Sequence, residues 1–232
     1  VRPVLKRNKD ENRNGYKGKL LPELHPKEPA AEAYRLLRSN LRYMSVDNPP
    51  RSFLVTSAMP GEGKSLTAAN LAISMALVGS KTLLLDGDLR IPSVHEVFGV
   101  DNRFGFTTKV LEGGSWANIV TKVEIENLDI CTSGPLPPNP AELLGARRTH
   151  NALREASADY AQVIIDGPPV LGVSESLSLA KMVDGVILVV RAKKTSHIAA
   201  VEAKERLEQV GARILGVVLG DTDIKNSVYY GY

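Results

Sequence analysis

Three short stretches of this chain carry residue types that do chemistry together, and each stands where an apolar run stops. The first is Ser57-Ala58-Met59-Pro60-Gly61-Glu62-Gly63-Lys64-Ser65, which follows Phe53-Leu54-Val55 and opens a long helical pattern. Gly61 and Gly63 let successive backbone N–H groups turn inward around phosphate oxygens, and the helix behind them adds the positive end of its dipole. Lys64 supplies a mobile ammonium for the outer phosphates and Ser65 a hydroxyl for Mg²⁺, so residues 59–66, from Met59 and Pro60 through Glu62 to Leu66, are the expected nucleotide cradle. The usual eight-residue pattern opens with glycine. Ala58 stands there instead, which is tolerable where φ is negative.

In the second stretch, Leu83-Leu84-Leu85 runs directly into Asp86-Gly87-Asp88-Leu89-Arg90. Two carboxylates and a guanidinium thus stand at the carboxyl end of a buried strand, where open α/β sheets bind their ligands. If extended geometry continues through Gly87, Asp86 and Asp88 project to the same side. Such a pair can organise Mg²⁺ and its waters, and one member can accept a hydroxyl proton. Asp86 is the first candidate for the proton and Asp88 for the metal shell, with the two roles interchangeable. The third stretch, Val163-Ile164-Ile165 meeting Asp166-Gly167-Pro168-Pro169, resembles a Walker B element, whose aspartate holds a metal-bound water. Gly167, not a carboxylate, follows Asp166, so no adjacent glutamate positions attacking water. This weakens the case for a fast, motor-type ATPase.

These groups need strands that end together. Strands are expected at 53–56, 82–85, 128–131, 163–165, 186–190 and 214–219, with helices at 65–78, 141–156, 174–182 and 196–210 between them. Gly79 and Gly211 stand where the first and last of these helices should end. Several strands are apolar at consecutive positions, as in a parallel sheet covered on both faces. The expected fold class is α/β, a doubly wound, mostly parallel sheet of the P-loop NTPase type.

Ahead of the first strand, residues 30–42 have helical periodicity, with Ala33, Leu37 and Leu41 on one face and Arg35, Arg38 and Arg42 on the other. Glu32 lies three residues before Arg35. On periodicity alone this polar stripe is a solvated face.

With 232 residues, 43% hydrophobic and 24% charged, the chain can bury a sizeable core. Cys131 is the single cysteine, which removes internal disulfides. His25, His95, His150 and His197 lack metal-ligand spacing, and no zinc is expected. The net charge of +3 is uneven: residues 1–19 hold seven basic and two acidic side chains, a net of +5, so the remainder sums to −2. A folded domain with that balance presents no broad nucleic-acid-binding face. Three regions are expected: a basic, disordered arm and linker at 1–29, suited to an anionic membrane surface or to solubility alone; the domain at 30–220; and a mobile tail at 221–232. No apolar run reaches transmembrane length, and the start at Val1 fits a piece of a longer protein as well as a processed or trimmed one.

Together the three stretches resemble the cytoplasmic kinase domain of the bacterial tyrosine kinases, P-loop enzymes tied to capsule and exopolysaccharide export. The resemblance spans about Glu32 to Tyr232. It matches Gly61-Glu62-Gly63-Lys64-Ser65 to the phosphate loop, Asp86, Asp88 and Arg90 to the family's Asp-x-Asp-x-Arg element, and Asp166, Pro168 and Pro169 to its aspartate with following prolines. It implies ATP and Mg²⁺ as cofactors, with Ser65, Asp86, Asp88 and Asp166 around the metal, and Lys64, Asp86, Asp88 and Arg90 as catalytic residues. Glu32, Arg35 and Arg38 match the helix by which the family associates into rings, so the resemblance turns that solvated face into a subunit contact. Tyr229, Tyr230 and Tyr232 match the cluster that subunits phosphorylate on one another. Gly220-Asp221 departs from the asparagine often found near the adenine. A membrane-spanning partner of polysaccharide polymerisation, fused or separate, is implied as anchor and activator, which puts the domain at the cytoplasmic face of the bacterial membrane. The rival is a partitioning or division-site ATPase acting as a nucleotide-switched binding protein. That class usually carries a lysine at the position of Met59.

Overall fold

Alternation along the strands decides how this domain layers. The computed structural model describes residues 28–44 and 49–222. In chain order the elements are α1 (Pro29–Tyr43), β1 (Ser52–Ser57), α2 (Lys64–Ala76), β2 (Thr82–Asp86), α3 (Val94–Phe98), α4 (Phe106–Glu112), a 3₁₀ turn (Trp116–Asn118), β3 (Thr121–Lys122) and β4 (Leu128–Cys131). They continue with α5 (Pro140–Gly145), α6 (Arg147–Asp159), β5 (Gln162–Asp166), α7 (Glu175–Ala180), β6 (Gly185–Arg191), α8 (His197–Gln209) and β7 (Ile214–Gly220). The strands form one sheet in the order β3-β4-β2-β5-β1-β6-β7. Every neighbouring pair is parallel except β3 with β4.

Successive side chains enter opposite cores. Leu54, Leu83, Leu85, Ile165 and Leu188 pack with Leu153, Leu179 and Leu207 from α6, α7 and α8. Phe53, Val55, Leu84, Ile164 and Ile187 pack with Leu41, Leu71 and Val94 from α1, α2 and α3. Burial on both faces explains the unbroken apolar runs and confirms the doubly wound sheet. All six expected strands are present, each within one residue at either end.

The helices differ more. The expected helix at 141–156 is two, because Ala146 is extended (φ −74°, ψ 150°) and Thr149 Oγ1 donates to the Leu143 carbonyl at 2.6 Å, satisfying a group the break releases. The break lets Leu144 bury while Ala152, Leu153 and Ala156 serve the same core. On α1 the buried residues are Ala31 and Leu41, whereas Ala33, expected inside, is exposed. Arg38, expected on the outward face, turns toward α2 and donates from Nη1 to the Ser74 carbonyl at 2.8 Å and to Ser74 Oγ at 3.2 Å. Docking on α2 selects the face carrying residues 31, 38 and 41, a choice periodicity leaves open because the apolar positions of α1 are few. Among the described residues, no helix is long and apolar enough to cross a membrane.

Candidate functional site

The loop from β1 to α2 forms because two of its glycines take left-handed conformations, φ 75° at Gly61 and 94° at Gly63, which L side chains adopt only with strain. Ala58 is not among the residues of positive φ, which is why it substitutes for the usual opening glycine. Glu62, inside the loop, is buried and braces it. Its Oε2 accepts the Met59 N–H at 3.0 Å, and its Oε1 accepts the Thr195 hydroxyl at 2.5 Å from the segment after β6.

Lys64 begins α2 and is only 8% exposed. Its Nζ lies 2.9 Å from Asp88 Oδ2, 3.6 Å from Asp166 Oδ1 and 3.3 Å from Ser65 Oγ. Burial would draw this ammonium's pKa down, but Asp166 and then Asp88 outweigh it and raise the pKa, so the lysine stays charged. The β2–β5 pairing sets Asp86 opposite Asp166, and β1 pairs with β5 on the other side, so the three sequence stretches meet at one edge.

Asp86 and Asp88 divide their contacts. Asp86 Oδ2 accepts the backbone N–H groups of Ser93 and Val94, both at 3.0 Å, and Oδ1 accepts that of Asp88 at 3.2 Å. It therefore caps the start of α3 as well as facing Asp166. Burial, followed by the Asp166 charge, pushes its pKa up. Asp88 Oδ1 accepts the N–H groups of Arg90 and Ile91, leaving Oδ2 to Lys64. Arg90 Nε donates to Glu175 Oε1 at 2.7 Å.

A cavity of about 580 Å³ opens over the loop. Asp88, Arg90, Ser93 and Pro168 line it toward β2 and β5, and Arg191, Gly220 and Asp221 toward β6 and β7. Arg191 bonds Asp221 Oδ2 through Nε at 2.9 Å and Nη2 at 2.8 Å. Tyr34 of α1 also reaches the cavity, its phenol sharing hydrogen bonds with Thr67 and Asn70.

Of the residues singled out in the sequence, Ser65, Lys64, Asp86, Asp88, Asp166 and Arg90 converge. Glu32 and Arg35 lie apart from the cavity lining and pair with each other on α1. Tyr229, Tyr230 and Tyr232 lie outside the described residues. Sequence reasoning missed Glu175, Thr195, Tyr34 and Arg191, and it set Asp221 near the adenine without its arginine partner. Each missed residue is an ordinary polar one in its own segment, and only long-range contact marks it.

A glycine loop between a buried strand and a helix, with its lysine held by carboxylates from two neighbouring strands, defines a P-loop NTPase. A family model described as ParA: NUBPL iron-transfer P-loop NTPase matches residues 48–221. Tyrosine-protein kinase YwqD of Bacillus subtilis (strain 168) is 42% identical over 207 residues, 89% of this chain and 87% of its own length. The kinase domain of Escherichia coli tyrosine kinase ETK superposes with a TM-score of 0.85 at 30% identity, covering 98% of this chain and 89% of that one. The chimerical protein CapA2B2 does so at 0.83 and 39% identity, covering 87% and 89%. The chain belongs to the bacterial protein-tyrosine kinases, P-loop enzymes that also match the ParA family model. It is an ATP- and Mg²⁺-dependent enzyme of that class.

The residues present fit Mg²⁺. Both Asp166 oxygens are buried and lack a hydrogen bond of ordinary length among the described residues, with only the Lys64 ammonium at 3.6 Å and the Ser65 hydroxyl beside them, and a metal-bound water would satisfy them. Among the described residues no three His, Cys, Asp or Glu side chains form a ready metal site.

Proposed function

We propose that this chain transfers the γ-phosphoryl group of ATP to tyrosines in the C-terminal cluster of a neighbouring copy, and so regulates capsular or exopolysaccharide synthesis and export. The observation that carries this reading is the Lys64 ammonium held between Asp88 and Asp166 at the mouth of the loop. The backbone of residues 59–66 binds the phosphates, and Lys64 leaves its carboxylates to neutralise charge on the transferred group. Mg²⁺, when bound, spreads the phosphate charge. Ser65, Asp88 and, through water, Asp166 would hold it. We assign the tyrosine proton to Asp86, since Asp88 is the carboxylate already paired with a cation that a metal can replace. With the reactive end marked by these acids, the nucleoside lies toward Arg191 and Asp221. Glu32 and Arg35 serve association into a ring, and Arg38, matched to the same motif, holds α1 against α2 at Ser74. A membrane-spanning polysaccharide co-polymerase, fused or separate, serves as anchor and activator at the cytoplasmic face of the membrane.

The match to the ParA family model favours one second reading, a nucleotide-switched ATPase that binds partners without phosphorylating them. Met59, where that class usually has lysine, weighs against it. Incubation with ATP and Mg²⁺ followed by mass-spectrometric mapping decides between them. Phosphate on Tyr229, Tyr230 and Tyr232 is the expected result. ATP hydrolysis without any phosphotyrosine overturns the kinase reading.

A further inference from the structure

Glu175, the first residue of α7, has no part in the roles assigned above, yet it is 1% exposed. Its Oε1 accepts the Arg90 Nε–H at 2.7 Å, while Oε2 is buried with no partner among the described residues. A carboxylate held in that state is costly, and an apolar residue buried at that position would be more favourable. Arg90 is its opposite. The arginine side chain is 52% exposed and lines the cavity beside Asp88 and Ile91, so it needs no buried anion for its own solvation.

What the pair does achieve is orientation. A guanidinium is a planar fork, and a charge-assisted bond to Nε fixes that plane while leaving the terminal nitrogens for another ligand. The bond also spans 85 residues, joining the loop after β2 to the segment after β5. Those two segments contribute Asp88, Arg90, Pro168 and Val173 to the end of the cavity beyond Lys64.

We propose that Glu175 is a positioning residue that holds Arg90 with its terminal N–H groups facing the oxygens of the phosphoryl group as it passes to the acceptor tyrosine. In the transfer the bond between the γ-phosphorus and the bridging oxygen of ADP breaks, and its electron pair stays with ADP. The phenolic oxygen forms the new bond, its proton goes to Asp86, and Arg90 donates hydrogen bonds while keeping all its protons. This inference rests on the kinase reading.

The test is Glu175→Gln in the full chain, which keeps an acceptor for Nε and removes the charge. Turnover of a tyrosine-containing acceptor peptide with Mg·ATP should fall about ten- to a hundredfold, the scale of a lost transition-state donor, while the Kd for Mg·ADP stays within about twofold. Arg90→Ala should lose about as much, and the double variant should lose no more than either. Turnover within twofold of wild type, additive losses in the double variant, or Mg·ADP affinity falling in step with turnover each overturn the positioning role. Should Glu175→Gln not fold, the half-exposed Arg90→Lys serves: it keeps the charge without the fork, and wild-type turnover there also overturns the proposal. A wild-type chain that binds Mg·ADP but makes no phosphotyrosine removes the kinase reading and this inference together, whereas the outcomes above remove the inference alone.

Discussion

The two ends of the nucleotide cavity are built on opposite plans. Toward β2 and β5, Asp86, Asp88 and Asp166 are all buried and converge on one lysine. Toward β6 and β7, Arg191 and Asp221 pair with side chains 39% and 61% exposed. Charges in a dry site act strongly on one another and on a ligand, whereas an exposed pair is screened and contributes little. The buried end should therefore control rate, and the exposed end only modest binding.

The sharpest way to break that comparison is Lys64→Met. We expect autophosphorylation to fall about a thousandfold or more in protein that still folds at reduced stability, since Asp88 and Asp166 lose their buried cation while the apolar core is untouched. Phosphotyrosine formation at the wild-type rate in folded Lys64→Met would refute the assignment of the buried end. A smaller effect is expected on α1. Alanine at Glu32 and Arg35 should yield monomers and slow phosphorylation in trans by about tenfold, with light scattering reporting the mass. Arg38 is kept in that variant because it anchors α1 to Ser74, and its loss would confuse docking with association.

At the exposed end, Arg191→Ala should weaken Mg·ADP about five- to tenfold and leave turnover at saturating ATP unchanged, as calorimetry and steady-state rates can show. A turnover loss as large as that of Lys64→Met would erase the distinction between the ends. The smallest effect is expected away from the cavity at Asp184. Burial alone would raise its carboxyl pKa, but the backbone N–H groups of Arg51 and Ser52 outweigh burial and hold it below the usual range. A depressed carboxylate stabilises the fold above its unfolded pKa and loses that contribution as pH falls through the folded one. Because Asp184 is exposed and its charge is screened, Asp184→Asn should cost less than about 1 kcal/mol at pH 7 and progressively less below about pH 4, with nucleotide affinity unchanged. A gap between the two denaturation midpoints that widens on acidification would contradict this.

Much of the buried end was legible because its signals are local. Gly61 and Gly63 announce left-handed turns, and Asp86 and Asp166 each end an apolar run whose burial on both faces is written in consecutive residues. The exposed end carries only the Gly220-Asp221 departure after the last strand, since Arg191 lies 30 residues from Asp221 and is ordinary in its surroundings. Glu175 was hidden for the same reason: an acid in the first turn of a short helix is commonplace.

By itself the sequence determined six of the seven described strands (all but β3), the phosphate loop, the acids at the strand ends and the family, because each rests on a backbone preference or a spacing within a few residues. Tertiary structure decided which acids share one lysine, that Asp86 also caps α3, which face of α1 docks, where the helix near Ala146 breaks, and that Glu175 holds Arg90. Those outcomes depend on the strand order β2-β5-β1 and on helices closing over it. Long-range order of that kind brings together residues tens of positions apart, and the energy that selects it belongs to the packed core as a whole and to no local segment.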